Sequence, residues 1–344
     1  MNRKYFLLGL FLFVLYWVWY LYRPFWMPLC IASLLALGTS KLNLYLDQKF
    51  KHKMTKSIAL TLTLGLLFFA PLVYALHSLS IIMQHFDASI IDKMVNVKNH
   101  LKIPDFLGAI KPQIQAFLDS IDAQQITKSV VKYMTIILKN SADFFKDMVM
   151  ILVFYFFANY YSKELVRFLK GILPFDENSA FFQEISNVMN IVFYSTLVTA
   201  IFEGALFAVI AAVYGYDALL FGILYGFASL IPVIGGALMW VPLSLYQYSI
   251  GDHTGAWVIG LYSVIVISII ADTFIKPVII SEITHMMVDS ASKINPLIIF
   301  FAIIAGLTTF GFWGVIIGPA ITTFFISFVK IYKVLLDEEK YLSR

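Results

Sequence analysis

The chain has 344 residues, 60% of them hydrophobic and 17% aromatic, with 25 Lys and Arg against 21 Asp and Glu, a net charge of +4 and a mean hydropathy of +0.82. A soluble chain of this length carries roughly 86 charged residues, so there is too little polar surface to coat a water-soluble globule, which argues against a soluble enzyme or a nucleic-acid-binding domain. One cysteine, Cys30, can close no intramolecular disulfide and build no thiolate metal cluster.

At the N-terminus, Arg3 and Lys4 precede an uncharged run from Tyr5 to Tyr22. The following Arg23-Pro24-Phe25-Trp26 lacks the small residues of a cleavage site, so the segment is expected to be a retained anchor. About 20 uncharged residues make one helical crossing of a 30 Å hydrocarbon layer. By that rule single crossings are expected at 5–22, 24–40, 57–86, 148–162, 185–216 (interrupted by Glu203) and 253–271. Two further runs, 218–251 and 294–329, would extend roughly 50 Å as straight helices, so each is expected to break. Pro232, Gly235 and Gly236 mark the break in the first. Gly306 and Gly311 mark it in the second, followed by Gly314, Gly318 and Pro319. Proline removes a backbone donor and glycine permits left-handed turns, which predicts two helical hairpins.

Orientation follows from the cations in the short loops. Arg3 and Lys4, the Lys41–Lys56 cluster, Lys163 to Lys170, Lys276 with Lys293, and the C-terminal cations from Lys330 fall on one side, and of the short loops on the other side only Arg23 carries a cation. The positive-inside rule makes that side, and both termini, cytoplasmic. Residues 87–147 carry seven acidic and eight basic side chains with apolar positions at helical spacing, which predicts an extracytoplasmic helical insert. The stretch 163–190 reads as cytoplasmic amphipathic helices at the headgroups, broken at Pro174. The expected organisation is therefore three N-terminal spans (1–86), the insert (87–147), a fourth span (148–162), the amphipathic stretch (163–190), a transport core (191–333) and a short tail (334–344). The fold class is an all-α, polytopic transmembrane bundle.

Enzymatic motifs are absent: the sequence holds no phosphate-binding Gly-rich loop, no His-Glu-x-x-His and no Gly-x-Ser-x-Gly elbow. No catalytic residue, metal or cofactor is expected. The charges inside the apolar runs are more informative. Glu203 is the one charge in a 32-residue stretch, and an ionised carboxylate at that depth costs at least ~2.5 kcal/mol. It must be protonated, paired or turned to a wet cavity. Asp272 and Lys276, four residues apart, share a helix face and form a local pair, with Pro277 read as ending the helix. Interrupted helices inside a bilayer are tolerated only against protein or water, and transporters place solutes and ions there. Gly222 with Gly226, and Gly314 with Gly318, provide small faces for close packing.

The run Ile231-Pro232-Val233-Ile234-Gly235-Gly236, then Asp272-Thr273-Phe274-Ile275-Lys276-Pro277, Asn295-Pro296-Leu297, and Gly306 with Phe310-Gly311-Phe312-Trp313-Gly314 through Gly318-Pro319, resembles the AI-2E (autoinducer-2 exporter) family of membrane permeases. Two positions depart from the family pattern: Asp272-Thr273 replaces its usual Asp-Asn, and Asn295-Pro296 its common His-Pro. The resemblance implies a bacterial inner-membrane transporter, either exporting the autoinducer-2 signal or exchanging sodium for protons, and assembled as a homo-oligomer. The expected partners are membrane lipids, a small polar solute or Na+/H+, and further copies of the chain, with no nucleic acid. The competing expectations are a non-transporting scaffold and an oligomeric channel.

Overall fold

The computed structural model describes residues 3–85, 89–96, 112, 115–116, 122–172, 180–232, 234–287 and 296–342. Among the described residues the structure is helical, with no strand. Five helical stretches are long and apolar enough to cross a membrane: Arg3–Gly38, Lys53–Gln84, Ser186–Val213, His253–Ile283 and Leu297–Val329. The chain is a polytopic, all-α membrane protein.

In chain order, α1 (Arg3–Tyr22) passes through a 3-10 turn (Arg23–Phe25) into α2 (Trp26–Gly38), and α3 (Ser40–Lys49) follows. Next come α4 (Lys53–Gln84), α5 (Ser89–Asn96), α6 (Ala123–Tyr160) and α7 (Ser162–Ile172). Helix α8 (Ala180–Val213) leads into α9 (Ala218–Ala228) and α10 (Gly235–Ser249). Helix α11 (His253–Tyr262) continues as a π-helical segment (Ser263–Ile275) into α12 (Lys276–Met287). The last helices are α13 (Pro296–Phe310) and, after a 3-10 turn at Gly311–Trp313, α14 (Gly314–Leu342).

Both long apolar runs break where the proline and glycine signals stand. The first is interrupted at residues 229–234, and α10 starts at Gly235. A Cβ on Gly235 would lie 1.8 Å from the Ala228 carbonyl oxygen, so only glycine lets the chain reverse there. The second turns at Gly311, whose φ of 61° is left-handed. Beside that turn a Cβ on Gly306 would lie 2.1 Å from the Gly314 carbonyl oxygen and 3.0 Å from the Gly318 Cα. Pro319 sits inside α14, fully buried.

At four expected divisions of the chain the helical backbone continues. No loop separates the runs 5–22 and 24–40. Their backbone is helical through the 3-10 turn, giving one apolar stretch over Arg3–Gly38, because Pro24 at the start of a new turn needs no donor. The boundary between insert and fourth span, drawn at 147/148, falls inside the 38-residue α6: the polarity changes there, but nothing in the sequence stops the helix. For the same reason the boundary at 190/191 lies within α8. Pro277 does not end its helix. It occupies the second position of α12, which runs on to Met287. Insert positions 97–111 and the break at Pro174, like Asn295, lie outside the described residues.

The chain divides into two compact units. The first comprises Met1–Leu64, Phe144–Asn190 and Ala305–Arg344, and the second Gly65–Asp143 and Ile191–Ile304. In the first, α2 packs on α14 around Met189 and Ala320 with Leu34, Leu37 and Ile316. Helices α2, α3, α6 and α8 are also tied by buried polar side chains. Thr39 Oγ1 bonds Tyr155 OH at 2.8 Å, Asn43 Nδ2 donates to Asn159 Oδ1 at 2.9 Å, and Asn190 Nδ2 donates to Ser40 Oγ at 2.8 Å and to the Leu37 carbonyl at 3.1 Å. Asn159 and Asn190 are fully buried. Inside lipid such bonds join helices that lack a hydrophobic drive to associate.

The second unit has its core at Phe207, Ile210, Tyr225, Leu243, Ile259 and Ile267. Helix α10 packs on both α9 and α11, and α5 lies against α10.

Candidate functional site

Glu203, Asp272 and Lys276 meet in the second unit. Lys276 Nζ donates to Glu203 Oε1 at 3.1 Å and to Asp272 Oδ1 at 3.0 Å. Glu203 is the buried member, its side chain 5% exposed, against 36% for Lys276 and 44% for Asp272. One ammonium between two carboxylates leaves a formal charge of −1 when all three are ionised. Inside an apolar span that charge is costly unless a proton or cation joins it or water reaches it.

Local sequence explains how the three groups are brought together. Glu203 is followed by Gly204, and a Cβ there would lie 2.5 Å from the Gly222 carbonyl oxygen. Gly222 in turn faces Ala208, and Gly226 faces the Ala200 carbonyl. This all-small seam brings α9 against α8 beside the carboxylate. Tyr225 on α9 is buried and stacks on Phe207, one helical turn after Glu203, at 4.5 Å between ring centres. Its hydroxyl lies against Gly236, where a Cβ would come within 2.5 Å of it. Tyr262 OH donates to the Leu206 carbonyl at 3.1 Å, pinning α11 to α8 one turn from the acid.

Asp272 lies in the π-helical segment, and Lys276 opens α12. The wider turn keeps residues four apart on one face. π-Helical turns are uncommon and recur at functional sites. Pro277, lacking an N–H, leaves one carbonyl of the preceding turn without its helical donor, in keeping with the change of winding there.

Of the hairpin residues singled out in the sequence, Pro232, Gly235 and Gly236 belong to the same unit as the charged triad, whereas Gly306, Gly311, Gly314, Gly318 and Pro319 belong to the first unit.

A second polar group in this unit joins the loops at the ends of its helices. Asp217 caps α9 by accepting from the Leu220 N–H at 3.0 Å and also accepts from Tyr74 OH at 2.7 Å. Asp252 caps α11 by accepting from the Gly255 N–H at 2.9 Å and from Gln247 Nε2 at 2.7 Å, while Gln247 Oε1 accepts from Tyr216 OH. The Leu220 N–H, then Tyr74, hold the Asp217 carboxyl below the usual range. Gln247, then the Gly255 N–H, do the same for Asp252. These two acids are not singled out in the sequence reading, although an aspartate directly before an apolar helical run is a capping signal.

The profile described as "AI-2E family transporter" matches residues 6–334. A protein of Helicobacter pylori strain 26695, named for transport with no solute specified, is 35% identical over 97% of this chain and 97% of its own length. Its counterpart in strain J99 is 34% identical over 97% and 96%, and an Aquifex aeolicus protein named in the same way is 23% identical over 68% of each chain.

Proposed function

This chain belongs to the AI-2E transporter family, and from that premise we propose that this multi-pass membrane transporter is ion-coupled, with Glu203, Lys276 and Asp272 as its coupling site. It acts in the bacterial cytoplasmic membrane with the Lys41–Lys56 cluster facing inward. It exports a small polar solute of the autoinducer-2 type or exchanges a cation for protons.

The observation that carries this reading is the uneven charge of the triad: a single Lys276 ammonium lies within 3.1 Å of both carboxylates, and the more deeply buried of the two is Glu203. A proton or a monovalent cation entering this cluster neutralises it, and its departure restores the negative charge. A cluster whose energy depends that strongly on occupancy can bias a helix pair between two arrangements. The Tyr225 hydroxyl lies against Gly236 at the hairpin turn while its ring stacks on Phe207, one helical turn from Glu203, which supports a link between the hairpin and the acid.

Flux measured in proteoliposomes under imposed proton and sodium gradients tests the proposal. Glu203→Gln is expected to remove the dependence of flux on the gradient and to flatten its pH profile, while Asp272→Asn shifts the profile and keeps coupling. Gradient-dependent flux that survives in Glu203→Gln with an unchanged pH profile would overturn the assignment.

A further inference from the structure

Helix α7 follows α6 after a single residue, Tyr161, and its two faces differ sharply. Leu165, Val166 and Phe168 occupy one face and are 45%, 45% and 64% exposed. Lys163, Glu164 and Arg167 occupy the other. Among the described residues nothing covers the apolar face, yet it does not begin at α7. Val149, Val153 and Phe157 on α6 are exposed at four-residue spacing, and Tyr161 and Leu165 continue the stripe. The Phe157 and Tyr161 rings stack at 6.3 Å with a 14° interplanar angle. The outer flank of an apolar helix thus turns into the bare face of α7 without a polar gap.

The polar face is tied to the start of a membrane span. Glu164 Oε1 accepts from Lys53 Nζ at 2.8 Å, and Lys53 is the first residue of α4. Asp47 on α3 takes Lys56 at 2.5 Å and Lys163 at 3.9 Å. These links hold the start of α7 beside the first turn of α4, a helix long and apolar enough to cross a membrane. Around α7 stand Lys53, Lys56, Lys163 and Arg167, with Asp47 and Glu164 the acids paired into the group, so cations outnumber these acids four to two. A short helix with an apolar face level with the acyl boundary and a cationic face level with the phosphates matches one environment, a bilayer surface that carries negative charge.

We propose that α7 is an interfacial anchor in the headgroup layer, where Lys163 and Arg167 bind the phosphates of anionic phospholipids and Leu165, Val166 and Phe168 enter the acyl region. It is independent of the coupling triad, which lies in the other unit. Each cation near an anionic surface contributes about fivefold to partitioning, so the pair accounts for about a thirtyfold preference for anionic over zwitterionic lipid.

The test uses the full-length protein with Cys30→Ser, which leaves no native cysteine, and spin labels at Phe168→Cys or Glu164→Cys in nanodiscs. The label at 168 is expected to collide with oxygen more than with a water-soluble nickel chelate, and the label at 164 to show the reverse. A label at 168 shielded from both reagents would mean that a second copy or another protein covers the face, and chelate access at 168 would place it in water; either result overturns the proposal. In a second arm, the retention of phosphatidylglycerol relative to phosphatidylcholine is measured during detergent dilution. The Lys163→Ala/Arg167→Ala double variant should lose the preference, by about thirtyfold, and Lys163→Arg/Arg167→Lys should keep it. An unchanged preference in the double alanine variant overturns the phosphate assignment, whatever the label reports.

Discussion

Replacing Lys276 with methionine removes the ammonium that both Glu203 and Asp272 contact, while keeping most of the side-chain volume. Asp272 is nearly half exposed, so its pair with Lys276 contributes about 0–1 kcal/mol. Glu203 is 5% exposed, and stripping the partner from a buried charge costs about 3–5 kcal/mol. Lys276→Met alone should therefore destabilise the protein by about 3–5 kcal/mol. Glu203→Gln alone leaves Lys276 with Asp272 and should cost about 1 kcal/mol, the net worth of one hydrogen bond. The double variant buries no unpaired charge and should lie close to Glu203→Gln, which puts the coupling energy at about 3–5 kcal/mol in magnitude. Reversible unfolding of the four proteins in mixed micelles, compared at one pH and salt concentration, measures this directly. Additivity of the two single changes to within about 0.5 kcal/mol would refute the claim that Lys276 compensates a buried Glu203 charge.

Gly235→Ala should cost about 1–3 kcal/mol through overpacking, because its Cβ would meet the Ala228 carbonyl, whereas Gly9→Ala, with open space around it, should be neutral or slightly stabilising; melting of the detergent-purified variants compares the two. Asn190→Leu removes the donor shared by Ser40 and the Leu37 carbonyl and should lower stability by about 1–3 kcal/mol, while Asn190→Asp should cost more, which the same melting measurement ranks. Acid should weaken the second unit: Asp217 and Asp252 have folded pKa values below their unfolded ones, so their contribution is present above about pH 4 and is lost as pH falls through the folded values. In an acid titration the Asp217→Asn/Asp252→Asn variant should lose less stability than the parent as pH falls below about 4.

Local signals carried much of this architecture. Pro232 and Gly235-Gly236 announced the first reversal because a reversal needs a missing donor or a missing Cβ, and Gly311 announced the second. Asp272 and Lys276 declared themselves as partners by their spacing of four. Glu203 stood out as a lone acid in an apolar run, yet nothing local connected it to Lys276, 73 residues away. That meeting depends on the packing of α8 against neighbouring helices, set in part by single glycines whose closest neighbours are distant in sequence. Asn159 and Asn190 were illegible for a similar reason, since one amide in an apolar run has no pattern until its partner helix is known. The boundaries at 147/148 and 190/191 followed changes in polarity, but a helix stops only at a stop signal, and α6 and α8 had none. The π-helical winding before Lys276 left no periodic trace, because an apolar segment reads the same at either pitch.

That winding has a mechanical consequence. A stretch coiled more loosely than its neighbours holds spare residues, and tightening it to ordinary α-helical pitch rotates everything downstream by about 100° for each residue taken up. Lys276 sits at the downstream edge of the stretch and Asp272 within it, while Glu203 belongs to a different helix that would not rotate with them. A single step of rewinding would swing the ammonium away from Glu203 with no change in the length of chain, turning a local adjustment of backbone pitch into a break in the charge cluster.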